Sequence, residues 1–194
     1  RFLRPANLPD EAVGRGWTLV ESRNGLPVGI VNVQGRTFLK PIDCPFKAAG
    51  RALEALRGTA RLIFVDMHAE ATSDKVAMGW HLDGRVTAVV GTHTHVQTAD
   101  ERVLPRGTAY ISDLGMTGPY ESVLGRNKDR VLQALTTGMP THFDVAGGDV
   151  HLCGAVVTAD ADTGRASAIR RVNIPLAPGD GRQKSAGSVA PGNP

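Results

Sequence analysis

Aromatic residues, cysteines and long apolar runs are all scarce in this chain. Phe, Trp and Tyr make up 5% of its 194 residues, and apolar residues 41%. Both values are low for a globular protein, but neither indicates disorder across the body. No apolar run approaches the roughly 20 residues that a membrane helix needs, and no signal-peptide pattern is present. The two cysteines, Cys44 and Cys153, lie far apart and outside any C-x-x-C pattern. They read as reduced, buried thiols of a cytoplasmic protein, although spacing alone leaves a disulfide between them open.

Charge points to no polyanionic partner. The formal net charge is +3, yet five basic residues and one acid lie between Arg165 and the end, leaving the body close to neutral. No basic stripe interleaved with aromatics marks a nucleic-acid face. The length suits one domain with a real core, placed at residues 1–176. Residues 177–194 are Gly, Pro, Ser and Ala with hardly an apolar anchor, so a disordered tail is expected there.

Local signals predict an α/β fold. Two strands, Trp17 to Glu21 and Val28 to Val33, flank an Asn24-Gly25 hairpin signal. A helix is expected from Pro45 to about Leu56, ended by Gly58, and a buried-type strand from Arg61 to Asp66. Thr72 or Ser73 should cap a second helix from Asp74 to about His81. Strands at Val86 to Val90 and Thr108 to Ser112 follow, then a helix from about Lys128 to Thr136. Thr141 to Val145, His151 to Ala159 and Ala166 to Ile174 read as β segments. Strands alternating with helices argue for a layered α/β architecture.

Three of the six histidines stand where chemistry is done. His68 closes the run Leu62 to Met67, and His93 and His95 follow Val89-Val90-Gly91-Thr92. Open α/β sheets hold ligands at the carboxyl edge of their strands, and a neutral imidazole there can ligate a divalent metal. Asp66 and Glu70 flank His68, where a carboxylate could orient a ligating ring or act only as a cap or surface ion pair. Thr92 and Thr94 could bond a phosphate or merely satisfy turn backbone. His81 suits a helix end, and neither His142 nor His151 is assigned a role. Gly115 and Gly118 are a weak anion-loop signal, and Ser73 lacks the partners of a nucleophile.

Four segments, in order, carry a specific resemblance. They are Val65-Asp66-Met67-His68-Ala69-Glu70-Ala71-Thr72-Ser73-Asp74-Lys75, Gly91-Thr92-His93-Thr94-His95-Val96-Gln97-Thr98-Ala99-Asp100, Leu104-Pro105-Arg106-Gly107-Thr108-Ala109-Tyr110 and Asp113-Leu114-Gly115-Met116-Thr117-Gly118. With Arg4-Pro5-Ala6-Asn7 and Gln34-Gly35-Arg36-Thr37-Phe38, they resemble the YmdB-like metallophosphoesterases over residues 4 to 174. The resemblance implies a calcineurin-like αββα sandwich holding two divalent ions, iron or manganese, with zinc also compatible with the ligands. It implies hydrolysis of small phosphodiesters such as 2',3'-cyclic nucleotides, and homo-oligomers. Its metal-binding histidines map onto His68, His93 and His95.

The family pattern also contains an amino-terminal stretch with an Asp, a Glu, an Asn and a general-acid His, none of which matches a segment here. This implies that the 194 residues are the carboxyl-terminal portion of such an enzyme, without its first strands or a catalytic residue of their own. By itself the chain would then not turn over substrate. A non-catalytic remnant binding a nucleotide or a protein through the same surface is the alternative reading.

Overall fold

The computed structural model describes residues 2–176, and the expected tail at 177–194 lies outside them. Two strands open the fold, β1 (Trp17–Glu21) and β2 (Pro27–Gln34), paired antiparallel around the Asn24-Gly25 turn. Gly25 has φ 75°, the left-handed backbone that this turn requires. Next come α1 (Pro45–Leu56), β3 (Leu62–His68), α2 (Thr72–Leu82) and β4 (Ala88–Thr92). The short strands β5 (Arg102–Val103), β6 (Ala109–Ile111) and β7 (Gly118–Pro119) precede α3 (Lys128–Thr137). A long hairpin of β8 (Val150–Ala159) and β9 (Ala166–Pro175) ends the described chain.

Six strands form one sheet in the order β1-β2-β3-β4-β6-β5, with β2, β3, β4 and β6 parallel. The helices α1 and α2 are the crossovers between β2 and β3 and between β3 and β4, and both pack on the same face. Val31, Val33, Ile63, Val65, Met67 and Val89 meet Ala48, Ala49, Ala52 and Leu56 of α1 and Met78 and Leu82 of α2 there. Alanine on α1 lets its backbone approach the strands closely, and the scarce aromatics leave Tyr110 as the largest fully buried side chain. On the opposite face Phe64, Ala88, Val90 and Ala109 pack against Val157, Ala166 and Ile169 of the second sheet, ordered β7-β8-β9. The expected α/β class with two layered sheets is therefore present.

The opening Arg4-Pro5-Ala6-Asn7 segment is a fully structured lock rather than a loose lead-in. Asn7 is fully buried; its Nδ2 donates to the carbonyls of Gln34 (2.8 Å) and Asp43 (2.9 Å), and its Oδ1 accepts from Gln34 N (2.9 Å). One amide thus ties the end of β2 to the chain entering α1.

Two local expectations need correction. Ala71, not Thr72 or Ser73, is the N-cap of α2, and no side chain caps it. Asp74 in the first turn instead accepts from the amides of Arg36 and Thr37 (both 3.2 Å) and from Thr37 Oγ1 (3.0 Å), so that helix end is fastened to the loop after β2. Residues 141–145 are not a strand; only Val145 makes an isolated bridge, with Arg126. Their alternation has no apolar surface to face, since Val145 is 86% exposed and the Phe143 ring lies 4.8 Å from the Arg126 guanidinium.

Candidate functional site

Strand alternation begins the assembly of the site. Phe64, Asp66 and His68 share one face of β3, and Ala88, Val90 and Thr92 share the same face of β4. The register sets Asn32 beside Asp66 on one side and Thr92 beside His68 on the other. Asn32, Asp66, His68 and Thr92 thereby form one polar patch at the carboxyl ends of three parallel strands.

Hydrogen bonding in this patch decides which ring nitrogen of His68 is free. Asn32 Nδ2 donates to Asp66 Oδ2 (2.7 Å), and Thr92 Oγ1 donates to Asp66 Oδ1 (2.8 Å). With its only proton directed at Asp66, the Thr92 hydroxyl accepts from His68 Nδ1 at 3.1 Å. His68 Nε2 is then left with a lone pair. Burial, reinforced by the adjacent His93, pushes the His68 pKa below its ordinary value, which keeps the ring neutral. Burial also pushes the Asp66 carboxyl up, against the Thr92 and Asn32 hydrogen bonds that favour its ionised form.

His93 meets His68 almost edge to face, with ring centroids 4.8 Å apart. Its Nε2 lies 2.8 Å from Glu70 Oε2, and donation to that carboxylate leaves Nδ1 as the acceptor. Nδ1 faces His68 Nε2 at 3.1 Å. Two lone pairs at that distance repel, so the arrangement calls for a proton or a cation between them.

The turn that presents His93 is strained. His93 has φ 120° and His95 has φ 65°, both in the region that side chains with a Cβ avoid, at a cost on the order of 1–3 kcal/mol each. Thr94 anchors the turn from between them: its amide and its hydroxyl both donate to Asp113 Oδ2, at 3.0 and 2.7 Å. Asp113 also accepts from Lys75 Nζ (2.9 Å) and from the Gly115 amide (3.0 Å). The side chains of Lys75 and Asp113 are 3% and 1% exposed. Burial would raise the Asp113 carboxyl, but the Lys75 ammonium and the Thr94 and Gly115 donors outweigh it and hold the carboxyl below the usual range. Gly91 makes room for this pair, since a Cβ there would run into the Ser112 carbonyl and lie 2.8 Å from the Lys75 stem.

His95 has its Nδ1 3.3 Å from the Leu124 carbonyl. The structure therefore joins His68 and His93 with Asp66, Glu70 and Thr92 by hydrogen bonds, gives Thr94 to the support of the turn, and bonds His95 to the Leu124 carbonyl. Among the described residues no group of three His, Cys, Asp or Glu side chains is arranged to hold a metal ion. Gln97 links the site loop to the second sheet, its amide nitrogen lying 3.2 Å from the Leu114 carbonyl and 3.0 Å from those of Gly154 and Val172. The other histidines stand away from the pair. His81 packs against Phe46, His142 is exposed beside Asp144, and His151 sits between Asn173 and Asp149.

Lys75 and Asp113 lie within the quoted segments but, like Asn32, were given no role from the sequence. Asn32 left one signal, a polar residue on an otherwise apolar strand. Lys75 and Asp113 are 38 positions apart, and only the tertiary fold makes them partners.

Known proteins resemble the chain across most of its length. The family model described as YmdB-like protein matches residues 1–172. A 2',3'-cyclic-nucleotide 2'-phosphodiesterase of Bacillus subtilis is 49% identical over 173 residues, covering 89% of this chain and 65% of that protein. The chain thus spans less than two thirds of that relative's length. A crystal structure of a hypothetical protein from Thermus thermophilus superposes with a TM-score of 0.82 at 40% identity, covering 89% of this chain and 67% of that one. A structure from Mycoplasma pneumoniae, described as a novel phosphatase, gives 0.79 at 34% identity, covering 89% and 63%. With the family model matched over residues 1–172, this chain belongs to the YmdB-like family.

Proposed function

We propose that the chain carries the histidine side of a metal-dependent phosphodiesterase site, acting on small phosphodiesters such as 2',3'-cyclic nucleotides. The observation that supports it most is the 3.1 Å approach of His68 Nε2 and His93 Nδ1, with the outer nitrogen of each ring already committed. Two nitrogens bound to one ion at about 2.0–2.1 Å, at angles between square and tetrahedral, stand roughly 2.9–3.4 Å apart. The ring pair fits that requirement with both lone pairs on the inside. Glu70 and the Thr92–Asp66 relay are the partners that fix ligating imidazoles in one tautomer.

A bound divalent ion would polarise a phosphoryl oxygen and lower the pKa of a water at the site. The residues of this chain would prepare for it. Thr92 and Asp66 hold the His68 proton on Nδ1, Glu70 holds the His93 proton on Nε2, and burial keeps His68 uncharged near neutral pH. His95, with Nδ1 toward the Leu124 carbonyl, would keep its Nε2 free to join them. Iron or manganese, with zinc as a further candidate, a cytoplasmic setting and self-association complete the reading. No helix of the described residues is long and apolar enough to cross a membrane, and Cys44 and Cys153 are unpaired and only partly buried, rather than buried as expected.

Turnover tests the proposal. The full-length gene product with added Mn²⁺ should hydrolyse bis-p-nitrophenyl phosphate and 2',3'-cyclic AMP. His93→Ala should abolish that turnover in a protein whose circular dichroism is unchanged, and His142→Ala should retain most of it. Hydrolysis unaffected by His93→Ala would overturn the assignment of the site.

A further inference from the structure

The buried Lys75–Asp113 pair sits directly beneath the turn that presents His93, yet neither side chain reaches the histidines. Its carboxylate oxygen Oδ2 gathers three donors: Lys75 Nζ, Thr94 N and Thr94 Oγ1. Two of them come from the residue between two left-handed histidines. An aspartate on a different loop thus grips the one residue of the turn that can report its conformation, through backbone and side chain together. Lys75 reaches that aspartate from inside α2, past a glycine that has no room for a Cβ.

We propose that Lys75, Asp113 and Thr94 form a positioning device for the site, holding the 93–95 turn in its strained form so that His93 Nδ1 faces His68. The device rests on the reading of His68 and His93 as ligands, but its geometric content can be tested without a metal. A strained turn persists only where its surroundings over-determine it. Here the hydrogen bonds from Thr94 to Asp113 supply that determination, and Lys75 keeps Asp113 ionised to receive them. With the grip released, the turn would relax toward ordinary backbone angles, and the His93 ring would lose its fixed relation to His68 and Glu70.

Thr94→Val is the decisive variant, because it keeps the shape and the amide while removing the hydroxyl, and it leaves the buried ion pair intact. Thr94→Ser restores the hydroxyl. In the metal-free full-length protein, imidazole ¹⁵N chemical shifts should show His93 fixed with its proton on Nε2 in the native and Thr94→Ser proteins. In Thr94→Val the two tautomers should average, with the melting temperature shifted by only a few degrees. Titration with Mn²⁺ alone should show affinity about 10-fold weaker or more for Thr94→Val, the range seen when a supporting hydrogen bond behind a metal ligand is lost. Unchanged His93 tautomer and unchanged Mn²⁺ affinity in a folded Thr94→Val protein would overturn the proposal. Should native protein bind no Mn²⁺, the metal reading fails, and the tautomer comparison still decides whether the device positions His93.

Discussion

The two faces of the six-stranded sheet are built from similar residues and yet differ in how they are held. On the helical face, alternate residues of the parallel strands interlock with α1 and α2, and most of the large side chains there are fully buried. On the other face the packed cluster is small, with Ala88, Ala109 and Ala166 buried and Phe64, Val90, Val103, Val157 and Ile169 packed around them. The outer surface of the β8–β9 hairpin is open, leaving Leu152 53% and Ile174 55% exposed. The candidate site lies on the thinly packed face, but the ion pair that supports it lies within the densely packed one. A strained turn can stand over a shallow layer because its anchor is set in the deep one.

The largest expected effect follows from the anchor. Asp113→Asn or Lys75→Met leaves one buried partner uncompensated and should cost about 3–5 kcal/mol in urea unfolding. A loss below about 1 kcal/mol in either variant would show that the pair is not set in the deep layer. Second comes packing on the two sides. Met78→Ala, on the helical face, should destabilise by about 2–5 kcal/mol. Leu152→Ser, on the open hairpin, should stay within about 0.5 kcal/mol. Equal losses at the two positions would erase the contrast.

The smallest effect is in pH, and its sign differs between the regions. The Asp113 carboxyl is lowered in the folded state, so its contribution is present above the ordinary carboxylate pKa and is lost as pH falls through the lowered value. The native stability slope below about pH 4 should therefore be steeper than that of Asp113→Asn. His151 is raised, first by the Asn173 hydrogen bond and then by Asp149. Its contribution is present below about pH 6.5 and fades as pH rises through its higher folded value. Hydrogen exchange of the β8–β9 amides should accelerate across that interval beyond the ordinary base-catalysed rise, and His151→Gln should remove the excess.

The same contrast sets how much could be foreseen. The strands under the helices announced themselves as short apolar runs with turn residues at their ends, and α1 by Pro45 at its start and Gly58 just past its end. His68 and His93 were legible because a histidine that ends such a run falls at a sheet edge. Their tautomers were not, because these depend on Asn32 and Thr92 meeting Asp66 through strand register. Lys75 carried no sign of burial in the sequence, and its burial arises only once Gly91 opens a path beneath β4. Residues 141–145 misled for the reverse reason, since their alternation faces no packed layer.

In the proposed function, His68 and His93 form one half of a cation site. Crystals of the full-length gene product soaked in Mn²⁺, with data collected at the manganese absorption edge, test it most directly. An anomalous peak is expected within bonding distance of both His68 Nε2 and His93 Nδ1. Strong manganese density elsewhere, with the two rings still in direct contact at saturating Mn²⁺, would contradict it.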